Sequence, residues 1–168
     1  LKTSLRAPDP VLFFEHKELL NLKGPVPEGE HLVEFGQASV VREGTHLTVV
    51  AVALMVQQTL RAAQTLAAQG ISIEIVDPRT VAPLDTGTIQ RSVEKTGRLL
   101  VVDEAFSPCG LGAEIVAQIA DVAFDALDAP IRRLHGPHTP TPYSPPLERA
   151  VVPQPEDIVQ AVINLVEE

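Results

Sequence analysis

Apolar runs of strand length alternate with apolar residues at helical spacing along most of the chain. Residues 47–53 form a continuous apolar run, and residues 56–67 carry apolar side chains at helical spacing up to Gly70, which predicts a strand followed by a helix. The same order recurs in residues 71–97 and again in residues 99–122. Because repeated strand and helix units build parallel sheets with right-handed crossovers, we predict a three-layer α/β fold. Its mainly parallel sheet should carry helices on both faces.

Individual residues mark where several of these elements begin and end. Asp85 is placed to cap the helix of the second unit, and Gly97 is placed to end it. Residues 131–134 could add a last strand, and its two arginines suit the edge of a sheet. Residues 135–155 hold seven prolines and are predicted to be extended. A final helix should begin at Pro155, and its apolar side consists of Ile158, Val162 and Leu165.

The first 43 residues follow a different pattern. Residues 1–6 have helical spacing but neither an initiator methionine nor a capping residue ahead of them, which suggests a fragment that starts within a helix. Residues 11–14 are apolar over the length of a strand, so we predict a buried strand that ends at the charged residues 15–17. Residues 21–43 combine glycine, proline and acidic residues without periodicity, which is typical of a linker between domains.

Composition and charge narrow the choice of partners and surroundings. Thirteen Lys and Arg against twenty-two Asp and Glu give a formal net charge of -9, which repels nucleic acids and attracts a basic protein surface. Cys109 is the only cysteine, so the chain has no intrachain disulfide. A structural thiol in a reducing, cytoplasmic compartment is the simplest expectation. No apolar run reaches the ~18 residues of a membrane span, and we expect neither nucleic acid nor a membrane as partner.

Polar residues at the carboxyl ends of the predicted strands are the first candidates for chemistry. Asp103 and Glu104 follow a buried strand and could share a proton as an acid–base pair. Successive strand residues point to opposite faces, however, which favours separate structural roles for these two acids. Arg79 could bind a carboxylate or phosphate, although an ion pair with Asp77 or Asp85 is the commoner outcome for such a residue.

Two further motifs fall short of a complete site. Gly110-Leu111-Gly112 opens a predicted helix in the manner of a dinucleotide-binding fingerprint, but Ile115 stands at the third glycine position. His135 and His138 are separated by a glycine and a proline, which preclude a helix, and no acid or cysteine completes a metal-binding set. We therefore predict no catalytic, cofactor-binding or metal-binding set within this chain.

Several short motifs, taken in order, resemble one enzyme family over essentially the whole chain. They are residues 10–17 (PVLFFEHK), 44–50, 70–80, 83–85, 95–104, 110–115, 127–130 and 141–148. This order resembles the beta subunit of the 2-oxo acid dehydrogenases. By that resemblance, residues 1–24 would be the tail of an upstream pyrimidine-binding domain and residues 25–35 a linker. Residues 36–168 would be a domain similar to the C-terminal domain of transketolase.

The resemblance implies a thiamine diphosphate enzyme that decarboxylates pyruvate or branched-chain 2-oxo acids, or cleaves acetoin, with a pyruvate-type substrate preferred. Such dehydrogenases pass the acyl group to a lipoyl arm. In this family the activating glutamate lies in the upstream domain, and the Gly-Asp-Gly motif that holds the diphosphate through magnesium lies in the alpha subunit. The complete enzyme should therefore hold thiamine diphosphate and Mg²⁺, whereas this chain alone should bind neither and be inactive.

The implied partners are the alpha subunit, a second beta subunit and the basic subunit-binding domain of the dihydrolipoyl acyltransferase. Glu167 and Glu168 end the last predicted helix, where the helix dipole disfavours acids. They are candidate contacts for the acyltransferase, and a solvated tail is the alternative. A homodimer face could use the apolar side of helix 111–124 or the proline-rich segment.

Two other identities stay open at the level of sequence. The C-terminal domain of a transketolase or of a deoxyxylulose phosphate synthase shares the strand after Gly44 and the turn at residues 83–85. Residues 15–17 and 141–148 favour the dehydrogenase subunit instead. A free-standing interaction module without enzyme activity is the third hypothesis, because a fold alone does not specify a function.

Overall fold

A computed structural model describes all 168 residues and contains one five-stranded sheet. The strands are β1 (Ser39–Arg42), β2 (Leu47–Ala51), β3 (Ile73–Asp77), β4 (Leu99–Phe106) and β5 (Arg132–Gly136). Their order across the sheet is β1-β3-β2-β4-β5. The β2–β3, β2–β4 and β4–β5 pairs are parallel, and only β1 runs antiparallel to its neighbour β3. The predicted mainly parallel sheet is confirmed.

Six α-helices accompany the sheet. They are α1 (Lys2–Arg6), α2 (Leu54–Ala68), α3 (Thr86–Thr96), α4 (Leu111–Ala123), α5 (Pro145–Val151) and α6 (Pro155–Glu167). Helices α2 and α6 pack on one face of the sheet, where Leu66 and Leu165 join one buried apolar cluster. Helices α3 and α4 pack on the other face, where Ile89 and Ile119 join a second cluster. The predicted three-layer arrangement is therefore confirmed.

Burial on both faces explains why the strands are continuously apolar rather than alternating. Along β2, Leu47, Val49 and Ala51 belong to the cluster under α2 and α6, whereas Val50 belongs to the cluster under α3 and α4. Every residue of β2 is buried. A strand that is covered on both faces has no side that faces solvent and therefore favours apolar residues, which is typical of parallel sheets.

Several helix and strand boundaries lie at the residues that the sequence predicted. Asp85 accepts a hydrogen bond from the main-chain N–H of Thr88 at 3.0 Å and caps α3, which ends at Gly97 with φ 69°. Strand β5 lies at the edge of the sheet. Helix α6 begins at Pro155, and its buried residues are Ile158, Val162 and Leu165. These predictions are confirmed.

Residues 11–14 do not form the buried strand that their apolar run predicted. They have no regular secondary structure, and Leu12 and Phe14 are 86% and 84% exposed. A strand requires a neighbour that accepts and donates main-chain hydrogen bonds, and no strand of the sheet pairs with this segment. The prediction is wrong because an apolar run records only the composition of a segment, not the presence of a pairing partner.

Two other segments contain more structure than predicted. The expected linker of residues 21–43 includes β1, which pairs through Ser39 and Val40 with the outer side of β3. The expected extended stretch of residues 135–155 includes α5, which carries prolines in its first turn, where a missing N–H is tolerated. The apolar side of α4 also differs slightly from the prediction, since Val122 is 48% exposed.

None of these helices is both long enough and apolar enough to pass through a bilayer.

Candidate functional site

The carboxyl ends of β2, β3 and β4 lie at one edge of the sheet, and the backbone is strained there. Ala53, Arg79 and Cys109 have φ angles of 51°, 58° and 58°, and they are the non-glycine residues with positive φ. One of them lies in each of the three loops that follow these strands. Such conformations cost about 1–3 kcal/mol each and concentrate at functional sites. The carboxyl edge is therefore the candidate functional site.

Asp103 occupies the amino end of α4 at this edge. Its side chain is almost fully buried, with one oxygen accepting from the main-chain N–H of Ala105 at 3.1 Å and the other from that of Gly112 at 3.4 Å. A carboxylate is favourable there because the helix amino terminus carries partial positive charge. The chain thus fills with its own side chain the position that a bound phosphate would use, which supports the structural explanation of Gly110 and Gly112.

Glu104 contacts a different part of the chain. Its Oε1 lies 2.9 Å from Nε2 of His16, and the two side chains are 30% and 23% exposed. Burial raises the pKa of Glu104, the negative charges of Asp103 and Glu148 raise it further, and His16 partly opposes both. Asp103 and Glu104 therefore bind separate partners, as the alternation of strand residues predicted.

Arg79 does not form the predicted ion pair. No carboxylate oxygen lies within 4.0 Å of its guanidinium, and its main-chain N–H donates instead to Asp77 at 3.0 Å. Burial raises the pKa of Asp77, although the Arg79 N–H and guanidinium favour the charged form. Asp85 is only partly buried, and hydrogen bonds from Thr88 and from the main chain of Ala38 outweigh this burial and lower its pKa. The predicted ion pair does not form because the Asp77 carboxylate accepts a hydrogen bond from the main chain of its own turn instead.

The remaining sequence candidates at this edge make different contacts, although His135 lines the same small cavity as Asp103 and Gly112. His135 Nδ1 is 3.0 Å from the main-chain oxygen of Gly136, whereas the His138 ring packs against Phe106 with 5.4 Å between the ring centres. Cys109 is exposed rather than packed in the core. No group of three or more His, Cys, Asp or Glu side chains is arranged to hold a metal ion.

A buried charged cluster that the sequence reasoning missed lies at the opposite edge. Glu74 is 2% exposed, and it accepts from Lys95, from Ser92 at 2.6 Å and from the main-chain N–H of Gly44 at 3.2 Å. Burial alone would raise the pKa of Glu74, but these hydrogen bonds outweigh it and lower the pKa. Glu43 and Glu74 together raise the pKa of Lys95.

This cluster joins the sheet to α3 and has a structural role. The hydroxyl of Thr48 lies 2.8 Å from that of Ser92, so the hydrogen bonds continue from Glu74 into β2. One sequence signal could have revealed it. Glu74 stands between Ile73 and Ile75, in a strand that is covered on both faces, and such an acid requires a buried partner.

The carboxyl-terminal end of the molecule carries the predicted partner-binding acids beside an apolar groove. Glu168 pairs with Arg132 of β5 at 2.5 Å, whereas Glu167 is exposed and makes no salt bridge. The groove is lined by Ala120, Phe124, Leu127, Asp128, Ala129, Pro130 and Ile131. Phe124 is 72% exposed. Because Ile131 directly precedes Arg132, the groove adjoins the acidic end of α6.

The fold and these sites define the class of protein to which the chain belongs. It is an α/β domain with a mainly parallel sheet and a strained, polar carboxyl edge. The sequence profile described as "Transketolase, C-terminal domain" matches residues 36–158. The chain therefore belongs to the transketolase C-terminal domain family. A solved split-gene transketolase, described as an inactive beta4 tetramer, has a TM-score of 0.71 and 26% identity to the chain. The similarity covers 80% of this chain and 44% of that one.

Curated relatives extend the similarity beyond that domain. The beta subunit of acetoin:2,6-dichlorophenolindophenol oxidoreductase from Cupriavidus necator is 49% identical over 158 residues, covering 94% of this chain and 47% of the relative. The pyruvate dehydrogenase E1 component subunit beta from Bacillus subtilis is 43% identical over 168 residues, covering 99% and 51%. The chain thus spans about half the length of the curated relatives it matches. The resemblance to these beta subunits that the sequence motifs indicated is confirmed.

Proposed function

We propose that the chain is the C-terminal part of the beta subunit of a 2-oxo acid dehydrogenase, and that it serves subunit assembly. The observation that carries the proposal is the extent of the similarity, which covers 99% of this chain in one pyruvate dehydrogenase subunit. It therefore includes residues on both sides of the matched domain at 36–158. The substrate would be pyruvate or a related 2-oxo acid, and acetoin is the alternative that the Cupriavidus necator relative supports.

The domain division that we propose follows the resemblance. Residues 1–24 belong to an upstream domain, residues 25–35 are a linker, and residues 36–168 are the transketolase C-terminal-like domain. Two observations support this division. No residue before Gly44 is buried, and Leu47 is the first member of either apolar cluster.

Thiamine diphosphate and Mg²⁺ would be held by the alpha subunit and by the upstream domain of the beta subunit. Two features of this chain support a scaffolding role. The Asp103 carboxylate fills the amino terminus of α4. Gly112, in the first turn of this helix, packs closely against the sheet, since a Cβ at this position would lie 3.4 Å from Val101. We keep a cytoplasmic location as part of the proposal, supported by the single, free Cys109.

A chimera tests the proposed function most directly. Residues 1–168 would replace the matching half of the Bacillus subtilis pyruvate dehydrogenase beta subunit, which would then be co-expressed with its alpha subunit. We expect an assembled heteromer that oxidises pyruvate, and assays with acetoin and branched-chain 2-oxo acids would define the substrate range. A chimera carrying Gly44→Ala is the matched control, because that change should misfold the domain without altering the upstream half. A folded chimera that fails to assemble with the alpha subunit would contradict the proposal.

We further propose that the acidic end of α6 contacts the subunit-binding domain of the dihydrolipoyl acyltransferase. Glu167 is free to contact a basic partner, and the apolar groove beside Arg132 and Glu168 offers additional contact area. The apolar side of α4, one of the two predicted homodimer faces, packs in the core through Ile115 and Ile119. The homodimer would then use the other predicted face, the proline-rich segment.

Charge reversal at the end of α6 would test this contact. Glu167→Lys and Glu168→Lys together should weaken binding to the isolated subunit-binding domain by at least about tenfold at low salt. Glu28→Lys and Glu34→Lys together, at exposed positions, are the matched control for net charge. Unchanged affinity in the double variant would show that these acids form only a solvated tail.

A further inference from the structure

The turn that follows β3 holds Arg79 in a conformation that glycine adopts more easily. Arg79 has φ 58°. The main-chain N–H of Thr80 donates to the carbonyl oxygen of Pro78 at 2.6 Å, so Arg79 is the central residue of a three-residue turn. Such turns are rare and strained when the central φ is positive, because a Cβ crowds the left-handed backbone. The chain thus carries an arginine where glycine would fold with less strain.

Hydrogen bonds on both sides hold this turn in place. The Asp77 carboxylate accepts from the main-chain N–H of Arg79 at 3.0 Å. The hydroxyl of Thr80 donates to the main-chain oxygen of Pro83 at 2.9 Å and accepts from the main-chain N–H of Gly36 at 3.0 Å. The backbone of Arg79 cannot relax without breaking some of these bonds. The direction in which its side chain leaves the turn is therefore set by the surrounding fold.

The guanidinium group of Arg79 has no partner within the chain. Arg79 is exposed, and no carboxylate oxygen lies within 4.0 Å of its guanidinium. By contrast, Arg98 donates to the main-chain oxygen of Leu165 at 3.1 Å, and Arg132 pairs with Glu168 at 2.5 Å. No side-chain contact inside the chain therefore accounts for an arginine in this strained turn.

Two contacts place the beginning of the chain at the same edge of the sheet. The domain proposed for residues 36–168 begins at Gly36, whose N–H binds the Arg79 turn. His16, in the segment assigned to the upstream domain, contacts Glu104 near the end of β4 at 2.9 Å. Only β2 separates β3 from β4 in the sheet, so their carboxyl ends lie about 10 Å apart. The tail of the upstream domain thus lies beside the carboxyl edge that carries Arg79.

We propose that Arg79 is an interdomain contact residue whose guanidinium binds a carboxylate of the upstream domain. The inference rests on the proposed function, in which the other half of the beta subunit precedes this chain. The strained turn fixes the position of the guanidinium, and its planar fork matches the two oxygens of a carboxylate. A charged partner is required because a guanidinium that loses water at an interface is costly unless it is paired.

The effect of Arg79→Gly on stability should change sign between this chain and the assembled enzyme. In the 168-residue chain, the substitution should raise the midpoint of thermal unfolding by about 1–3 °C, because only backbone strain is lost. In the chimera assembled with the alpha subunit, it should lower the midpoint by about 2 °C or more, because the interdomain ion pair is also lost. Calorimetry on both proteins would measure the two changes.

Matched variants separate the charge from the backbone. Arg79→Gln keeps a Cβ in the turn and removes only the guanidinium, so it should be neutral in the 168-residue chain and destabilising in the chimera. Arg79→Lys keeps the charge without the planar fork and should recover only part of the loss in the chimera. Arg61→Gln removes an exposed guanidinium from the middle of α2 and should change neither protein.

The outcomes distinguish this contact from the proposed function. A chimera that assembles and is as stable with Arg79→Gln as without it would overturn the interdomain contact and leave the proposed function intact. A lower midpoint for Arg79→Gly in the 168-residue chain would also overturn it, because the turn would then not be strained. The dissociation constant for the alpha subunit should not change in Arg79→Gln, and a tenfold weaker constant would assign the carboxylate to the alpha subunit instead. A wild-type chimera that fails to assemble would contradict the proposed function and this inference with it.

Discussion

At the scale of single residues, the close approach of Gly44 to β3 sets the tightest constraint in the structure. A Cβ at this position would lie 2.1 Å from the carbonyl carbon of Ile73 and 2.2 Å from the main-chain nitrogen of Glu74. Backbone atoms cannot rotate away as a flexible side chain can. The N–H of Gly44 also bonds the Glu74 carboxylate, so any shift of this backbone disturbs the buried charge.

Gly44→Ala should therefore destabilise the chain by about 3 kcal/mol or more, since overpacking against backbone forces two strands apart. Urea denaturation followed by circular dichroism would measure the change. Gly24→Ala is the control, because a Cβ there meets nothing within 4 Å. A loss below about 1 kcal/mol for Gly44→Ala would show that β3 can move and that the packing argument is wrong.

The charged cluster around Glu74 predicts a specific dependence of stability on pH. The folded-state pKa of Glu74 is lowered, so its contribution is present above the unfolded-state pKa and is lost as the pH falls through the folded-state value. The pKa of Lys95 is raised, so its contribution is lost only as the pH rises through that raised value. Both contributions are therefore complete near neutral pH.

Replacing the buried acid tests this linkage. Glu74→Gln should cost about 2 kcal/mol at pH 7, less than a fully buried pair, because Lys95 is 41% exposed and still contacts Glu43. The difference from the wild type should shrink under acidic conditions, where the wild-type carboxylate also becomes protonated. Chemical denaturation at a series of pH values would measure it, and a difference independent of pH would refute the charged role of Glu74.

At the scale of elements, α3 depends on a single side chain. Asp85 accepts from the N–H and the hydroxyl of Thr88 and also from the main-chain N–H of Ala38. This acid thus caps the helix and holds the segment that leads into β1. The sequence predicted the first role from the spacing of Asp85 and Gly97, but it contained no signal for the second.

Asp85→Ala should lower the free energy of unfolding by about 2 kcal/mol, at the upper end for an N-cap because a second N–H also loses its acceptor. Asp85→Asn should restore only part of the loss, since the single amide oxygen can still accept from the N–H of Thr88 and cap the helix, whereas the NH2 group cannot accept from the N–H of Ala38. Thermal and urea denaturation of the two variants would give the comparison. An alanine variant as stable as the wild type would contradict this account of the cap.

Elements with strong local signals could be predicted from the sequence, and elements that depend on distant partners could not. The continuous apolar run of β2 and the proline that starts α6 are local features, and both elements were predicted correctly. Strand β1 is only four residues long and exists because β3 offers a free edge. Residues 11–14 have the composition of a strand but no neighbour that pairs with them.

The same distinction applies to the candidate site. The alternation of strand residues correctly separated Asp103 from Glu104, because their directions follow from local geometry. The partner of Glu104 is His16, which lies 88 positions earlier in the sequence, so no spacing rule connects the two. The burial of Glu74 likewise depends on Lys95, which belongs to a helix packed on the sheet.

At the scale of the whole molecule, the stable part of the chain is the domain that begins near residue 36. Both apolar clusters lie within residues 47–165. Residues 1–35 contribute no buried residue, and their polar contact with the domain is the His16–Glu104 pair. These residues therefore add little to the folding free energy of the domain.

A chain reduced to residues 36–168 should fold cooperatively, with a midpoint of thermal unfolding within about 4 °C of that of the full chain, because a loss below ~1 kcal/mol shifts a domain of this size by no more than that. Calorimetry on both chains would measure the midpoints. A much larger decrease, or an unfolded truncated chain, would place residues 1–35 within the same folding unit and contradict the proposed domain division.

We propose that this chain supports the assembly of the enzyme and that other polypeptides hold the cofactor. Isothermal titration of the folded 168-residue chain with thiamine diphosphate, in the presence of excess Mg²⁺, tests this proposal most directly. We predict no saturable heat of binding. Saturable one-to-one binding of thiamine diphosphate by the chain alone would contradict the central claim.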